Sequence, residues 1–332
     1  MDGLANLLSV ILLICGGMFL INGSITMGEY VAVSSLIWAI ENPMRMLGTY
    51  INDIQRFMAS ATKIIEIYYS QPLIKDREDA VKTGSLNGDI EFKNVSFSFG
   101  DKKVLDDISF SIKAGETVAI MGETGSGKTT LINLIPRFYD PSYGEVMVDG
   151  ISVSHRSLKE LRKNIGMATQ DVLLYSDTID GNIAYGDSSM SEEDVKRCAY
   201  LAAADEFIEK MPQGYETIIG ERGVGLSGGQ KQRISLARAL AIKPKILILD
   251  DTTSAVDMET EAHIQNSLNS LDFDCTKIII AQRISSTKDA DKIIILDEGK
   301  IKEMGSHDEL LKLKGYYYDV FTLQNEGFGK GE

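Results

Sequence analysis

The sequence predicts an α/β domain preceded by two apolar helices. Three observations support this: short alternating strands from Gly88 onward, a glycine-rich loop between an apolar strand and a helix at 122–129, and an apolar run at 4–21. The 332 residues suffice for two domains with a full hydrophobic core. With 44% hydrophobic and 25% charged residues, the composition excludes a collagen-like or largely disordered chain.

The net charge is strongly negative and lies mainly in the C-terminal part. The formal charge is −14, whereas residues 1–75 hold five acidic and four basic residues. Such a chain repels phosphate backbones, so we expect no nucleic acid partner, and any bound phosphate must be held by local groups. The three cysteines are widely spaced, which fits neither a disulfide framework nor a zinc site.

Residues 4–21 are predicted to span a membrane, since an apolar helix of this length measures about 27 Å. A cleaved signal peptide and a buried core helix are the alternatives, but Asp2 stands where a signal peptide carries positive charge. A second apolar stretch begins at Tyr30 and is interrupted near Pro43. Hydropathy alone leaves this second span open.

A narrow apolar stripe predicts one further length of helix. Its members are spaced three and four residues apart: Ile51, Ile54, Met58, Ala61, Ile65 and Tyr68. The stripe fits either partner helices or packing against its own domain. Pro72 is expected to end this helix, and the charged residues after it indicate a linker at 71–87. Basic residues beside the second apolar stretch favour a cytoplasmic location for this end.

The sequence GETGSGKT at 122–129 predicts a P-loop, because it follows an apolar strand and precedes a helix. Glycines let the backbone N–H groups wrap the phosphates of a nucleotide, Lys128 adds a positive charge, and Thr129 offers its hydroxyl to Mg²⁺. ATP and Mg²⁺ are therefore the expected ligands. The predicted nucleotide-binding residues are Gly122, Glu123, Thr124, Gly125, Ser126, Gly127, Lys128, Thr129 and Thr130.

Two further motifs follow. Residues 245–250 (KILILD) are typical of a buried parallel strand, and Asp250 at its end is a candidate Mg²⁺ ligand. LSGGQ at 226–230 precedes an amphipathic helix, for which Ser227 is the predicted N-cap.

GETGSGKT, LSGGQ and ILILDD, in this order, resemble the ATP-binding cassette (ABC) transporters of the multidrug and lipid exporter type. The resemblance implies an α/β P-loop NTPase at 88–332, with a RecA-like core, an antiparallel β-subdomain and an inserted helical subdomain at about 171–240. Residues 1–70 resemble the last two transmembrane helices of an exporter half-transporter, with a loop at 23–30, which favours the second span at 30–50. A multi-pass protein of the bacterial plasma membrane with a cytoplasmic nucleotide-binding domain is implied.

The resemblance also implies roles for individual residues. Phe99 stands where an aromatic ring stacks on adenine, and Gln170 where a glutamine touches Mg²⁺ together with Thr129 and Asp250. The segments expected to communicate between subunits comprise Glu221, Arg222, Gly223, Ser254, Ala255 and Asp257. In this family two cassettes dimerise head to tail, and the signature segment completes the partner's ATP site through Leu226, Ser227, Gly228, Gly229 and Gln230.

Two departures from the family change the expected chemistry. The position of the catalytic glutamate holds Asp251, whose side chain is shorter by about 1.5 Å. The position of the switch histidine holds Gln282, which donates a hydrogen bond but cannot become cationic. Either change alone fits neutral drift. Together they predict a site that binds ATP but hydrolyses it poorly.

These observations predict an ATP-hydrolysing subunit of a heterodimeric ABC exporter, with a second half-transporter as partner and a small molecule, lipid or peptide as cargo. The alternatives are a slow homodimeric exporter, a soluble ABC ATPase of DNA repair or translation, and a regulatory module that never hydrolyses ATP. An exporter half carries six membrane helices, so the sequence indicates a chain that lacks the first four and cannot transport on its own.

Overall fold

The computed structural model describes residues 2–82, 84–252 and 256–328. They fall into two compact units, Met1–Leu73 and Ile74–Glu332. The described part of the first unit contains only helices, whereas the second combines helices and strands.

Two helices form the first unit, α1 (Asp2–Ile21) and α2 (Met27–Tyr69). Thr26 begins α2 through a capping box, in which its side chain and that of the third helical residue each satisfy a backbone amide. The helix continues through Pro43 and ends at Tyr69, three residues before Pro72. The end of the helix ahead of Pro72 confirms the prediction from the sequence.

The surface of α1 is largely apolar. Gly16 lies against the ring of Tyr30 in α2, where an added Cβ would stand 2.8 Å from a ring carbon. More than half of each side chain is exposed at Leu7, Val10, Leu13, Ile14, Met18, Phe19 and Ile21. The sequence predicts membrane spans at 4–21 and 30–50. Among the residues that the structure describes, no helix is both long enough and apolar enough to cross a membrane.

Two sheets organise the second unit. The strands are β1 (Ile90–Phe99), β2 (Lys102–Ile112), β3 (Thr117–Met121), β4 (Tyr143–Val148), β5 (Ile151–Ser152), β6 (Ile165–Ala168), β7 (Ile246–Asp250), β8 (Thr276–Ile280), β9 (Lys292–Asp297) and β10 (Lys300–Gly305). An antiparallel sheet has the order β2-β1-β4-β5, and the register of β1 with β2 shifts between Phe92 and Val95, as at a β-bulge. The second sheet has the order β10-β9-β3-β8-β7-β6.

The second sheet is parallel except at its β10 edge and is covered on both faces. Every residue of β7 is buried, as the apolar run predicts. Ile246 and Ile248 belong to one core cluster, whereas Leu247 and Leu249 belong to another, because side chains alternate between the faces of the sheet. The carboxyl ends of β3, β7 and β8 therefore meet at one edge.

Nine further helices surround these sheets in the described ranges of the second unit. They are α3 (Lys128–Asn133), α4 (Leu158–Lys163), α5 (Ile179–Ile183), α6 (Glu192–Leu201), α7 (Asp205–Glu209), α8 (Gly228–Ala241), α9 (Met258–Asn269), α10 (His307–Leu313) and α11 (Tyr316–Phe328). Helices α5 to α7 lie within residues 171–240, and α8 begins there. The cysteines are free thiols, and burial raises the pKa of Cys198 and Cys275 to about 11.

Candidate nucleotide-binding site

The glycine-rich loop joins β3 to α3 in a conformation that requires glycine. The φ angles of Gly122, Gly125 and Gly127 are +146°, +88° and +103°, a region that residues with a Cβ rarely adopt. A Cβ at Gly122 would overlap the carbonyl oxygen of Leu296, and one at Gly127 would lie 2.9 Å from a methyl group of Leu105. The loop can therefore adopt this conformation only with glycine at Gly122 and Gly127.

Lys128 is held by carbonyl groups of the same loop. Its Nζ donates to the carbonyl oxygen of Gly122 at 2.8 Å and of Glu123 at 2.7 Å. Burial lowers the pKa of Lys128, while the charges of Asp250 and Asp251 oppose that shift. The ammonium group thus lies among anionic and carbonyl oxygens, where it can exchange those partners for phosphate oxygens.

The hydroxyl of Ser126 is the clearest sign of a polar ligand. The residue is 4% exposed, and its Oγ has no hydrogen-bond partner among the described residues. Buried polar groups are normally paired, since an unpaired group costs about 1–3 kcal/mol. An unpaired hydroxyl within a glycine cradle fits a site that receives phosphate oxygens.

Thr129 and Asp250 form the oxygen pair that a hard cation requires. The Thr129 hydroxyl donates to Oδ2 of Asp250 at 2.9 Å, and Asp250 is 3% exposed at the end of β7. Burial raises the pKa of Asp250, the bond from Thr129 opposes this rise, and the charge of Asp251 adds to it. The described residues contain no group of three or more His, Cys, Asp or Glu that could hold a metal on its own. Such a sparse set suits Mg²⁺, which is usually held by one or two carboxylates together with substrate phosphates.

A cavity of about 380 Å³ brings most of the predicted site residues together. It is lined by Phe99, Lys102, Val104, Thr124, Gly125, Gly127, Lys128, Thr129, Thr130, Gln170, Asp250, Asp251, Ile280 and Gln282. Three of these, Lys102, Val104 and Ile280, do not belong to any motif in the sequence. Phe99 of β1 pairs with Lys102 of β2, and this register places Lys102 and Val104 at the cavity.

Phe99 is half exposed at the mouth of this cavity. Its ring meets those of Phe97 and Tyr139 edge to face, with centroids 4.7 Å and 5.2 Å away. Edge-to-face contacts hold an aromatic ring in one orientation. The position of Phe99 therefore suits a fixed platform for a flat, aromatic ligand group.

Asp251 and Gln282, the two departures from the family, lie side by side. Nε2 of Gln282 is 3.5 Å from Oδ2 of Asp251. Asp251 has a φ of +52°, and its backbone is fixed by donation to Ile280 O and by acceptance from Nε2 of Gln232. The strained backbone and these bonds set the direction in which the short carboxylate points.

The signature segment lies outside this cavity. Ser227 begins α8 through a capping box with Gln230, which confirms the predicted N-cap. Ser227 and Gly228 are exposed, whereas Gly229 is buried. Residues 226–230 thus form a capped helix start that faces solvent.

The remaining predicted residues lie in two separate segments. Residues 221–223 form a short 3₁₀ turn in which Arg222 has a φ of +56° and accepts at its carbonyl from Nζ of Lys231. Asp257 caps α9 by accepting from the amide and hydroxyl of Thr260. Ser254 and Ala255 lie outside the described residues.

Comparisons with known proteins agree with this geometry. The model of the ABC transporter family matches residues 105–254. The chain is 41% identical over 324 residues to a multidrug export ATP-binding/permease protein of Bacillus subtilis, YgaD, covering 97% of this chain and 56% of that protein. It is 43% identical over 309 residues to an ATP-dependent lipid A-core flippase of Desulfotalea psychrophila, covering 93% and 54%.

Solved structures give the same result. A bacterial Atm1-family ABC exporter with ATP bound matches with a TM-score of 0.77 and 37% identity, covering 90% of this chain and 52% of that one. The chain spans about half the length of the relatives that it matches. The glycine loop, the signature segment and these matches show that the chain belongs to the ABC transporter family.

Proposed function

We propose that this chain is the ATP-binding subunit of an ABC exporter, and that its own site binds ATP but hydrolyses it slowly. The observation that carries the proposal is the composition of one cavity. An intact glycine loop with Lys128 lies beside Asp251 and Gln282, the two residues that replace the family's glutamate and histidine. On this proposal the site keeps the residues that bind ATP and lacks the two residues that hydrolyse it fast.

The binding half of the cavity provides a partner for each part of the nucleotide. The loop amides, Lys128 and the Ser126 hydroxyl receive the phosphates, while the ring of Phe99 stacks on the base. Thr129, Asp250 and Gln170 would hold Mg²⁺, which when bound neutralises phosphate charge and orients the terminal phosphate. The net negative charge of the chain is overcome at this point by groups from one loop.

Asp251 and Gln282, at the positions of the family's hydrolytic residues, differ from those residues in reach and in charge. The Asp251 carboxylate reaches about 1.5 Å less far than a glutamate, and a misplacement of about 1 Å can cost a hundredfold in rate. Gln282 donates a hydrogen bond but adds no positive charge as the transition state gains negative charge. Both effects act on the same step, so we propose that water attack is slow while ATP remains bound.

We further propose that the exposed signature segment completes an ATP site on a second half-transporter. Ser227 and Gly228 are exposed away from the chain's own cavity, at a helix start whose backbone amides favour an anion. The partner would carry glutamate and histidine, so its site would supply most of the hydrolysis. The heterodimer would export a small molecule, lipid or peptide.

The first unit is proposed to be part of the membrane domain of this exporter, with the nucleotide-binding domain in the cytoplasm of a bacterial cell. The support is the apolar surface of α1, which requires either lipid or other helices to cover it. The names of the relatives, a permease, a flippase and an exporter, point to a membrane as well.

ATP hydrolysis by the purified chain tests the proposal. The double variant Asp251→Glu with Gln282→His restores the family residues and is expected to raise the rate about 100-fold, because the carboxylate regains its reach and a cationic donor returns. Asp251→Asn with Gln282→Ala is the matched control and should stay at the basal rate. ATP affinity should remain within about twofold in the Asp251→Glu, Gln282→His variant, since Lys128 and the glycine loop are unchanged and the histidine still offers a donor to the terminal phosphate. Brisk hydrolysis by the wild type that disappears in Asp251→Ala would overturn the proposal that this site hydrolyses ATP slowly.

A further inference from the structure

The loop that carries Gln282 is held by a helix far away in the sequence. This loop follows β8 and contains a short 3₁₀ turn at Ile284–Ser286. The side chain of Gln324, in α11, bonds to it twice. Its Nε2 donates to the carbonyl oxygen of Gln282 at 2.9 Å, and its Oε1 accepts from the amide of Ile284 at 2.9 Å.

A pair of bonds of this kind fixes a backbone more firmly than one bond. The carboxamide of Gln324 brackets Arg283 and satisfies one carbonyl and one amide of the loop. Rotation of the peptide after Gln282 would break the first bond, and rotation of the peptide before Ile284 would break the second. The direction in which the Gln282 side chain leaves the backbone is therefore set by α11.

The opposite side of the loop is held by α9. Glu261 is 4% exposed, its Oε2 lies 3.1 Å from Nη1 of Arg283, and its Oε1 accepts from the hydroxyl of Ser286. These bonds go to side chains of the loop and leave the peptide of Gln282 to Gln324. Gln282 itself is exposed and lines the nucleotide cavity.

Helix α11 does not need Gln324 for its attachment. Its first turn is fixed by Glu303, whose carboxylate accepts from the amides of Tyr316 and Tyr317. Tyr317 is fully buried and bonds to His307 at 2.7 Å. Gln324 lies seven residues further along, about 10 Å from this anchor. Loss of its two bonds should therefore act on the loop rather than undock the helix.

We infer that Gln324 is a positioning residue that aims Gln282 at the terminal phosphate of ATP. This inference rests on the proposed function, in which Gln282 donates to that phosphate. Without Gln324, the Gln282 side chain loses its fixed direction, and the site loses a contact that ATP makes and ADP cannot make. The affinity for ADP should stay the same because the glycine loop, Lys128 and Phe99 are unaffected.

Calorimetric titration of the full chain with Mg²⁺-ATP and with Mg²⁺-ADP tests the inference. Gln324→Met keeps the size of the side chain and removes both bonds, so we expect the ATP:ADP affinity ratio to fall about 10-fold, as for loss of one hydrogen bond to a charged group. Gln282→Ala should lower the ratio equally, and the double variant should show no further loss. Thr322→Val is the matched control, because its hydroxyl donates to Tyr318 O within α11 rather than to the loop of Gln282.

Hydrogen exchange without nucleotide provides a second measurement. Gln324→Met should speed exchange of the Ile284 amide, whereas Thr322→Val should not. If Gln324→Met does not fold, Gln324→Glu keeps the acceptor for Ile284 and places a second acceptor against the Gln282 carbonyl. It should give the same loss of the affinity ratio with slow exchange at Ile284.

The outcomes separate this inference from the proposed function. A wild type that binds both nucleotides, with a ratio that Gln324→Met and Gln324→Glu leave unchanged, overturns only the positioning role. Equal losses for ATP and ADP, or additive losses in the double variant, also overturn it. A wild type that binds neither nucleotide overturns the proposed function and the inference together.

Discussion

The glycine-loop cavity and the signature segment, the two regions proposed to contact ATP phosphates, are built in opposite ways. The cavity collects residues from four strands, several loops and a helix start, and it contains a buried carboxylate, Asp250. The unpaired buried hydroxyl of Ser126 belongs to the same glycine loop. The signature segment is a single capped helix start with exposed Ser227 and Gly228. The residues that line the cavity do not include any of residues 226–230.

This difference indicates which region can bind nucleotide within one chain and which requires a second chain. Ser126 and Asp250 are buried polar groups, and a nucleotide with its Mg²⁺ would give them partners. The cavity should therefore bind nucleotide without a second chain. At the signature segment the capping box already satisfies the amides of Ser227 and Gln230, so a nucleotide would gain fewer contacts there than in the cavity. The signature segment should therefore matter only when a second chain brings a nucleotide to it.

The largest expected effect is at Lys128. Lys128→Met removes the cation that lies among the loop carbonyls, and ATP affinity should fall by at least about 100-fold, because a charged partner of the phosphates is lost. Lys231→Met is the matched control on the signature side, where the ammonium donates to Arg222 O at 3.0 Å. Titration with Mg²⁺-ATP measures both. Equal losses would erase the distinction between the two regions.

The next effect tests whether the signature segment acts across chains. A chain with Asp251→Glu, Gln282→His and Ser227→Arg should bind ATP normally but hydrolyse it about 100-fold more slowly than the same chain with Ser227, because its partner's signature is damaged. Mixing it with wild-type chain should restore part of the hydrolysis, since each mixed dimer contains one repaired site facing one intact signature. No gain on mixing would show that the segment does not act in trans.

The local parts of both regions can be predicted from the sequence. The glycine loop and Ser227 with Gln230 lie within eight and four residues, and their geometry depends on steric freedom and capping within those few residues. The expectation that β7 is buried follows from its apolar run.

The rest depends on contacts between distant residues. Lys102 and Val104 reach the cavity through the register of β1 with β2, which no motif records. Gln324 meets Gln282 across 42 residues, and a glutamine in an amphipathic helix carries no signal of its partner. The left-handed backbone of Asp251 is set by its bonds to Ile280 and Gln232 and is invisible in ILILDD.

A smaller effect is expected at Phe99, which tests the base-binding end of the cavity. Phe99→Ala should weaken ATP binding about 10-fold, because stacking of a base on an aromatic ring is worth about 1–3 kcal/mol. Phe99→Tyr keeps the ring and should leave the affinity unchanged. Nucleotide titration at a fixed salt concentration distinguishes the two. An equal loss in Phe99→Tyr would show that the position matters for packing against Phe97 and Tyr139 rather than for stacking.

The smallest effect compares two aspartates with opposite environments. Burial raises the pKa of Asp250, so its ionised form destabilises the nucleotide-free protein once the pH is above that pKa. Hydrogen bonds from Thr260 lower the pKa of Asp257, so its ionised form stabilises the fold, and this contribution is lost as the pH falls through its folded pKa. Asp250→Asn should therefore raise the Tm at pH 8, whereas Asp257→Ala should lower it.

Thermal unfolding without nucleotide at pH 8 and at pH 4.5 measures both. For Asp250→Asn we expect a rise of about 2 °C at pH 8, since 1 kcal/mol shifts the Tm of a domain of this size by about 2–4 °C. The rise should be smaller at the lower pH, because the raised pKa of Asp250 makes its wild-type carboxyl take up a proton sooner than an ordinary aspartate as the pH falls. The loss in Asp257→Ala should persist at pH 4.5, because the lowered pKa of Asp257 keeps its carboxylate ionised there. An Asp250→Asn variant that is more stable but whose Tm no longer responds to Mg²⁺ would show that the buried carboxylate lowers stability and is needed for cation binding. A fall in its Tm at pH 8 would show instead that the ionised Asp250 does not destabilise the cavity, which would remove one difference between the cavity and the signature segment.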